Sequence, residues 1–219
     1  MKRVTALILV CVFIFATNCI NVFAEDMPEY ITELTKYNII KGDPDGNMRL
    51  ADNLTRAEAV TLIVRMYGFS PETSMSAPAN EFSDMEGHWA CNAAMIAKGL
   101  RVIEERNEIF APDEKINSEE FVKMIVTLLG YEEVAEQKGG NPIGYLMVAS
   151  QTGITKGVSI ATGRYITRED TAKMLYNSFD VPLMVQTSYG AYGAENEYAI
   201  MDGKDGRAYQ TLRTLFETE

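Results

Sequence analysis

Three stretches of this chain are written to one grammar: "LTRAEAVTLIVRMYGF" (54–69), "INSEEFVKMIVTLLGY" (116–131) and "ITREDTAKMLYNSFDV" (166–181). Each opens with a side-chain cap followed three residues on by an acid, Thr55 with Glu58, Asn117 with Glu120 and Thr167 with Asp170. In that arrangement the cap oxygen takes an N–H of the first helical turn and the acid can reach back to the cap. Each then carries an apolar stripe at i, i+3, i+4, i+7: Val60, Ile63, Val64, Tyr67; Val122, Ile125, Val126, Leu129; Ala172, Leu175, Tyr176, Phe179. The expectation is three amphipathic helices. Their starts are 62 residues apart from Arg56 to Ser118 and 50 from Ser118 to Arg168. A period of roughly 50 to 60 residues implies an array in which no unit covers its own apolar face.

Upstream of each lies a further apolar segment, "YITELTKYNII", "AAMIAKGLRVI" and "YLMVASQTGIT". These are expected to be the first helices of three helix-loop-helix units. Asn38 and Gly153 suit the left-handed stop position, whereas Arg101 in the second copy adopts it only at a cost. Pro28 and Asn141-Pro142 fit helix starts. At the far ends, Gly68, Gly130 and Asp180 are expected in the left-handed position after the helix. Phe69, Tyr131 and Val181 are expected to fold back onto the last turn. "SPETSMSAPANE" (70–81) and "EEVAEQKGGN" (132–141) read as linkers.

The first 24 residues read as a secretory leader. Lys2 and Arg3 precede an uncharged apolar run from Val4 to Ala16, and Val22-Phe23-Ala24 suits signal peptidase. The run is too short to span a bilayer, which takes ~20 residues. A lipid anchor on Cys19 is the competing reading, with Ala16-Thr17-Asn18 a poor match to the residues such an anchor needs. Removal of the leader takes Cys11 and Cys19 and leaves Cys91 alone, so no internal disulfide is expected. That fits secretion by a Gram-positive bacterium. The formal charge is −11, and loss of Lys2 and Arg3 makes the mature chain more acidic still. Nucleic acid and anionic membrane surfaces are therefore poor partners, and an anionic ligand needs a local basic site.

"NIIKGDPDGNMRLADNLTRAEAV", "EFSDMEGHWACNAAMIAKGLRV" and "GITKG…YITREDTAK" together resemble the S-layer homology domain of bacterial surface proteins, from Asp26 to Leu183. The resemblance implies a mainly α fold, three repeats (25–69, 82–131 and 141–182) in a pseudo-threefold arrangement, with a short irregular extension at 183–219. It implies non-covalent attachment to an anionic secondary polymer of the cell wall, one carrying a pyruvate ketal on an amino sugar. Grooves between neighbouring repeats would hold the sugar. Carried over, the first groove would use Arg56 with Asp84 and Trp89, and Gly42 would be the loop glycine. Arg168 would serve a poorer groove. Ser118 stands where Arg is expected, and Asp26 and Asn141 stand where a second and third Trp would fall, so one good groove is expected.

Apart from the resemblance, Arg56 and Arg168 each follow an N-cap threonine, at the positive end of a helix, where a carboxylate is favoured. Trp89, the only tryptophan, offers a face on which a sugar ring can stack. The plain alternatives are solvated arginines and a core tryptophan. His88 and Cys91 read as structural rather than catalytic. Asp43, Asp45 and Gly46 have the look of a calcium loop, but with Gly46 at loop position six the first position is Lys41 and the last Asp52, so a turn is expected and no metal. No catalytic residue and no cofactor is assigned. The expectation is a secreted wall-anchoring protein with no enzymatic activity and some scope for self-association. The alternatives are a wall-active hydrolase, recognisable by two facing carboxylates in a cleft, an accessory carbohydrate-binding protein, or a subunit that assembles into a surface lattice. The tail after Leu183 reads as a hairpin and a short helix, either closing a stand-alone anchor module or opening a longer region that has been cut away.

Overall fold

The structure, a computed structural model, describes residues 27–72, 79–103, 108–190 and 196–217. The expected leader and Asp26 lie outside them. The chain is mainly helical, with α1 Glu29–Lys36, α2 Arg56–Met66, α3 Cys91–Gly99, α4 Ser118–Leu128, α5 Glu132–Gln137, α6 Ile143–Gln151, α7 Arg168–Ser178 and α8 Leu212–Glu217. One antiparallel hairpin, β1 Met184–Ser188 and β2 Glu197–Ile200, completes it among the described residues.

The three caps form as written. The Thr55 hydroxyl accepts from Glu58 N–H, and Glu58 in turn accepts from Thr55 N–H, closing a full capping box. Asn117 and Thr167 accept from the N–H groups of Glu120 and Asp170. The stripes bury, with Val60, Ile63, Val64, Val122, Ile125, Val126, Leu129, Ala172, Leu175 and Phe179 all in the core, except that Tyr67 is 42% exposed and Tyr176 only half-buried.

What covers each stripe is the next unit. Helix α2 packs against α3, α4 against α6, and α7 against α1, so the second helix of every unit lies on the first helix of its neighbour and the third unit returns to the first. The loops before α2, α4 and α7 close the same cycle through the backbone. Leu54 N–H donates to Ile166 O at 3.0 Å, Ile166 N–H to Ile116 O at 3.1 Å and Ile116 N–H to Leu54 O at 3.1 Å. Leu54 and Ile116 are wholly buried and Ile166 nearly so, so these donors have no water to turn to and each segment satisfies the next.

Several local expectations fail for tertiary reasons. Arg101 does adopt the left-handed conformation, at φ 58. It ends α3 where Val102 and Ile103, both buried, must turn inward, and their burial offsets the cost of φ > 0. Asp180 does not adopt it; its carboxylate is held instead by Arg213 at 2.7 and 3.0 Å. Phe69 does fold back through its backbone, its N–H donating to Val64 O at 3.2 Å, but its ring stays 42% exposed, stacked on Tyr67 at 5.8 Å. Residues 132–137 of the expected linker form α5, whose Glu136 accepts from the Tyr145 hydroxyl at 2.8 Å. The tail is a hairpin and a short helix, and it is integral to the fold. Leu212 is fully buried, Phe216 lies 5.0 Å from Tyr37 and 5.9 Å from Phe179, and Arg213 joins Asp180 to Glu33 of α1. Strand β1 sits so close to α4 that a methyl on Gly130 would meet Met184 O at 1.9 Å.

Candidate functional site

The two arginines that look alike in sequence have different surroundings. Arg56, 2% exposed, donates from Nε to Phe110 O at 2.9 Å, pairs with Glu120 and lies 5.1 Å over the Phe110 ring. Its backbone N–H donates to Glu114 O and that of Ala57 to Pro112 O, at 2.9 and 3.0 Å. Arg168 N–H and Glu169 N–H are likewise taken by Asp52 O and Leu50 O, each at 2.9 Å. The helix starts expected to await an anion are therefore occupied by carbonyls of the neighbouring unit. A buried N–H must find an acceptor, and the segment interface supplies one. Asp84 belongs to the Arg56 interface. Its carboxylate accepts from Phe110 N–H at 2.9 Å and Ala111 N–H at 2.7 Å. Partial burial alone would raise its pKa, but these two backbone donors and Arg56 hold it below the ordinary aspartate value.

Arg168, Gly42 and Trp89 come together in one cavity of about 320 Å³; Arg56 and Asp84 do not line it. The expected partnership of Arg56 with Trp89 is thus replaced by that of Arg168 with Trp89. All three units contribute to the walls. The first supplies Lys41, Gly42, Asp43, Asn47 and Arg49 from the loop between α1 and α2, and Glu58, Thr61, Leu62 and Arg65 from one face of α2; the second supplies Trp89 and the third Arg168. The loop is a turn held from within. Asp43 accepts from the N–H groups of Asp45 and Asn47 at 3.1 and 2.9 Å. A methyl on Gly42 would sit 2.9 Å from the Gly46 carbonyl carbon, so only glycine lets the loop fold onto itself.

Arg168 reaches the cavity wall by donating Nε to Met48 O at 2.9 Å and Nη2 to Lys41 O at 3.2 Å. Glu58 lies 3.7 Å from its Nη1 and 3.2 Å from Arg49. Burial pushes the Arg168 guanidinium down, and Glu58 opposes that shift. Arg49 is in the left-handed region at φ 51 and is anchored by Asp52 at 2.9 Å, which raises its pKa. Four cationic side chains (Lys41, Arg49, Arg65, Arg168) against two carboxylates (Asp43, Glu58) line the cavity, in a chain of formal charge −11. Trp89, 64% exposed, stands at the rim of this cationic wall. Water will not keep an indole face uncovered at no cost, and a sugar ring is a suitable cover.

No motif in the sequence points to Lys41, Arg49 or Arg65. A faint signal exists: Glu58, Thr61 and Arg65 are polar positions at i, i+3 and i+7, on one face of a helix that is otherwise mostly core. His88 accepts the Ala90 N–H on Nδ1 at 3.1 Å, a structural role at the start of α3.

Residues 25–60 match the family model of the S-layer homology domain. That segment is similar to the S-layer homology domain. Over 167 residues it is 29% identical to the middle cell wall protein of Brevibacillus brevis, spanning 75% of this chain and 16% of that one. It is 26% identical over 157 residues to a cell surface protein of Thermoanaerobacter kivui (70% and 20%), and 27% over 166 residues to a surface layer protein of Brevibacillus choshinensis (75% and 15%). It thus spans between about a seventh and a fifth of the length of these curated relatives.

Beyond the S-layer homology match, the second unit has a cavity in the corresponding position, about 240 Å³, with Glu120, Lys123, Met124 and Asn141 where the first has Glu58, Thr61, Leu62 and Trp89. Its character is different. Asn141 offers no stacking face, Arg56 lies outside its lining, and Glu119 adds a carboxylate that accepts from Gly163 N–H at 2.8 Å. Among the described residues no helix is long and apolar enough to cross a membrane.

Proposed function

We propose that this chain is a cell-surface anchoring module that binds an anionic secondary polysaccharide of the bacterial cell wall, and that it is not an enzyme. The observation that carries the proposal is the cavity in which four cations gather beside the chain's only tryptophan, within a protein that is otherwise strongly acidic. In this reading three S-layer-homology-like repeats form a pseudo-threefold body. The closed cycle of helix pairs and of Leu54, Ile116 and Ile166 hydrogen bonds supports it.

The groove draws on all three repeats, with Arg168 meeting a carboxylate such as a pyruvate ketal, Trp89 stacking on the sugar and Gly42 shaping the loop. Arg56 and Asp84 act beneath it, joining the first repeat to the second. The cell-wall and surface names of the relatives agree with that location. Co-sedimentation with wall sacculi, before and after acid extraction of the secondary polymers, tests the reading. Pelleting should vanish with the polymers; pelleting that survives their complete removal contradicts it.

A further inference from the structure

Glu72 follows α2 by six residues and does not line the cavity, yet its carboxylate pairs with Arg65 and lies 3.7 Å from Lys41, two of the four cations that do. Resting on the anionic-glycan reading above, we propose that Glu72 is a built-in counter-ion that occupies Arg65 and Lys41 in the empty groove and yields them to the carboxylate of the incoming glycan.

The geometry suits exchange rather than permanent structure. The side chain of Glu72 is 46% exposed, as is that of Lys41 at 48%, whereas that of Arg65 is 15% exposed and also donates to Ile39 O at 3.3 Å. Arg65 is thus fixed by the protein, and its counter-ion is the part free to leave. The Lys41–Glu72 pair is exposed on both sides and therefore weak, and the Glu72 end of the Arg65 pair is open to water, so a ligand can displace it. Arg65 and Glu72 are seven residues apart, which keeps the carboxylate at high effective concentration beside its partners. Partial burial would push the Glu72 carboxyl up, but Arg65 and Lys41 hold it below the ordinary glutamate value, so it remains charged at neutral pH and the counter-ion is in place.

The consequence is selectivity. A small anion must displace Glu72 without covering Trp89, whereas an anionic sugar gains that contact as well, so the tethered carboxylate raises the threshold for the former more than for the latter. Arg168 and Arg49 are neutralised differently, by Glu58, which is itself held in the capping box of α2 and is not free to move away.

The test uses the whole chain and wall sacculi that retain their anionic polymers, with the half-saturating sacculus concentration as the readout. Glu72→Gln should lower it by about two- to five-fold, the range expected when a weak exposed pair is removed, and should steepen its dependence on salt. In an Arg65→Gln/Lys41→Gln background the same change should bring no gain. Thermal unfolding of each variant separates binding from folding. A Glu72→Gln protein that is folded and binds equally or more weakly overturns the proposal while leaving the glycan reading intact. A wild-type chain that does not pellet with polymer-bearing sacculi overturns the glycan reading itself, and the counter-ion role falls with it.

Discussion

Arg56→Ala should damage the fold rather than the groove, and the size of the effect follows from its contacts. The substitution removes a charge-assisted hydrogen bond to Phe110 O at 2.9 Å, a guanidinium 5.1 Å over a buried aromatic ring and the partner of Glu120. The first is worth about 1.5–3 kcal/mol and the second about 0.5–1 kcal/mol. Breaking a fully buried ion pair costs about 3–5 kcal/mol, but Glu120 keeps 23% of its side chain exposed, so water recovers part of its charge. A loss of about 3 kcal/mol is expected, which for a chain of this size lowers Tm by about 6–12 °C. The assay is urea unfolding followed by far-UV circular dichroism, with Arg56→Ala/Glu120→Gln as the control that removes the stranded carboxylate and recovers part of the loss. A variant that loses less than about 1 kcal/mol and yet no longer pellets with sacculi would refute this reasoning and return Arg56 to the ligand.

Trp89→Ala should leave stability within about 0.5 kcal/mol, because the side chain is 64% exposed, while weakening sacculus binding roughly tenfold through the lost stacking face. Gly130→Ala should destabilise by more than about 1 kcal/mol, since φ is 85 and a methyl would collide with Met184 O; an unchanged urea midpoint contradicts the docking of β1 on α4. Asp84→Asn tests the acid limb. The folded-state pKa of Asp84 is depressed, so its stabilising contribution is present above the unfolded value of about 3.9 and fades as pH falls through the lower folded value. The stability gap between wild type and variant should accordingly be seen at pH 7 and narrow below about pH 4. A gap that widens on acidification contradicts the assignment.

The local parts of this architecture are legible in the sequence and the cyclic parts are not. A cap and its acid lie three residues apart, so Thr55–Glu58, Asn117–Glu120 and Thr167–Asp170 announce helix starts whatever the rest of the chain does. Arg56 and Arg168, in contrast, occupy identical local contexts, and what separates them is which neighbour arrives across the cycle: Phe110 and Glu120 for one, the Met48 and Lys41 carbonyls and an open cavity for the other. Asp180 departs from expectation, and Arg101 bears the cost of the left-handed conformation, for the same reason. Arg213 claims the first from 33 residues away, and the burial of Val102 and Ile103 imposes φ > 0 on the second. Trp89 and Gly42 were visible as residue types, whereas their meeting with Arg168 depends on three units closing on one another.

Because Trp89 is the only tryptophan, its emission reports on the proposed groove alone. Titrating the chain with solubilised anionic wall polymer should shift that emission to the blue and saturate, and Arg168→Gln should weaken the response. An emission spectrum that stays unchanged at polymer concentrations where the protein is fully bound would contradict a glycan resting between Arg168 and Trp89.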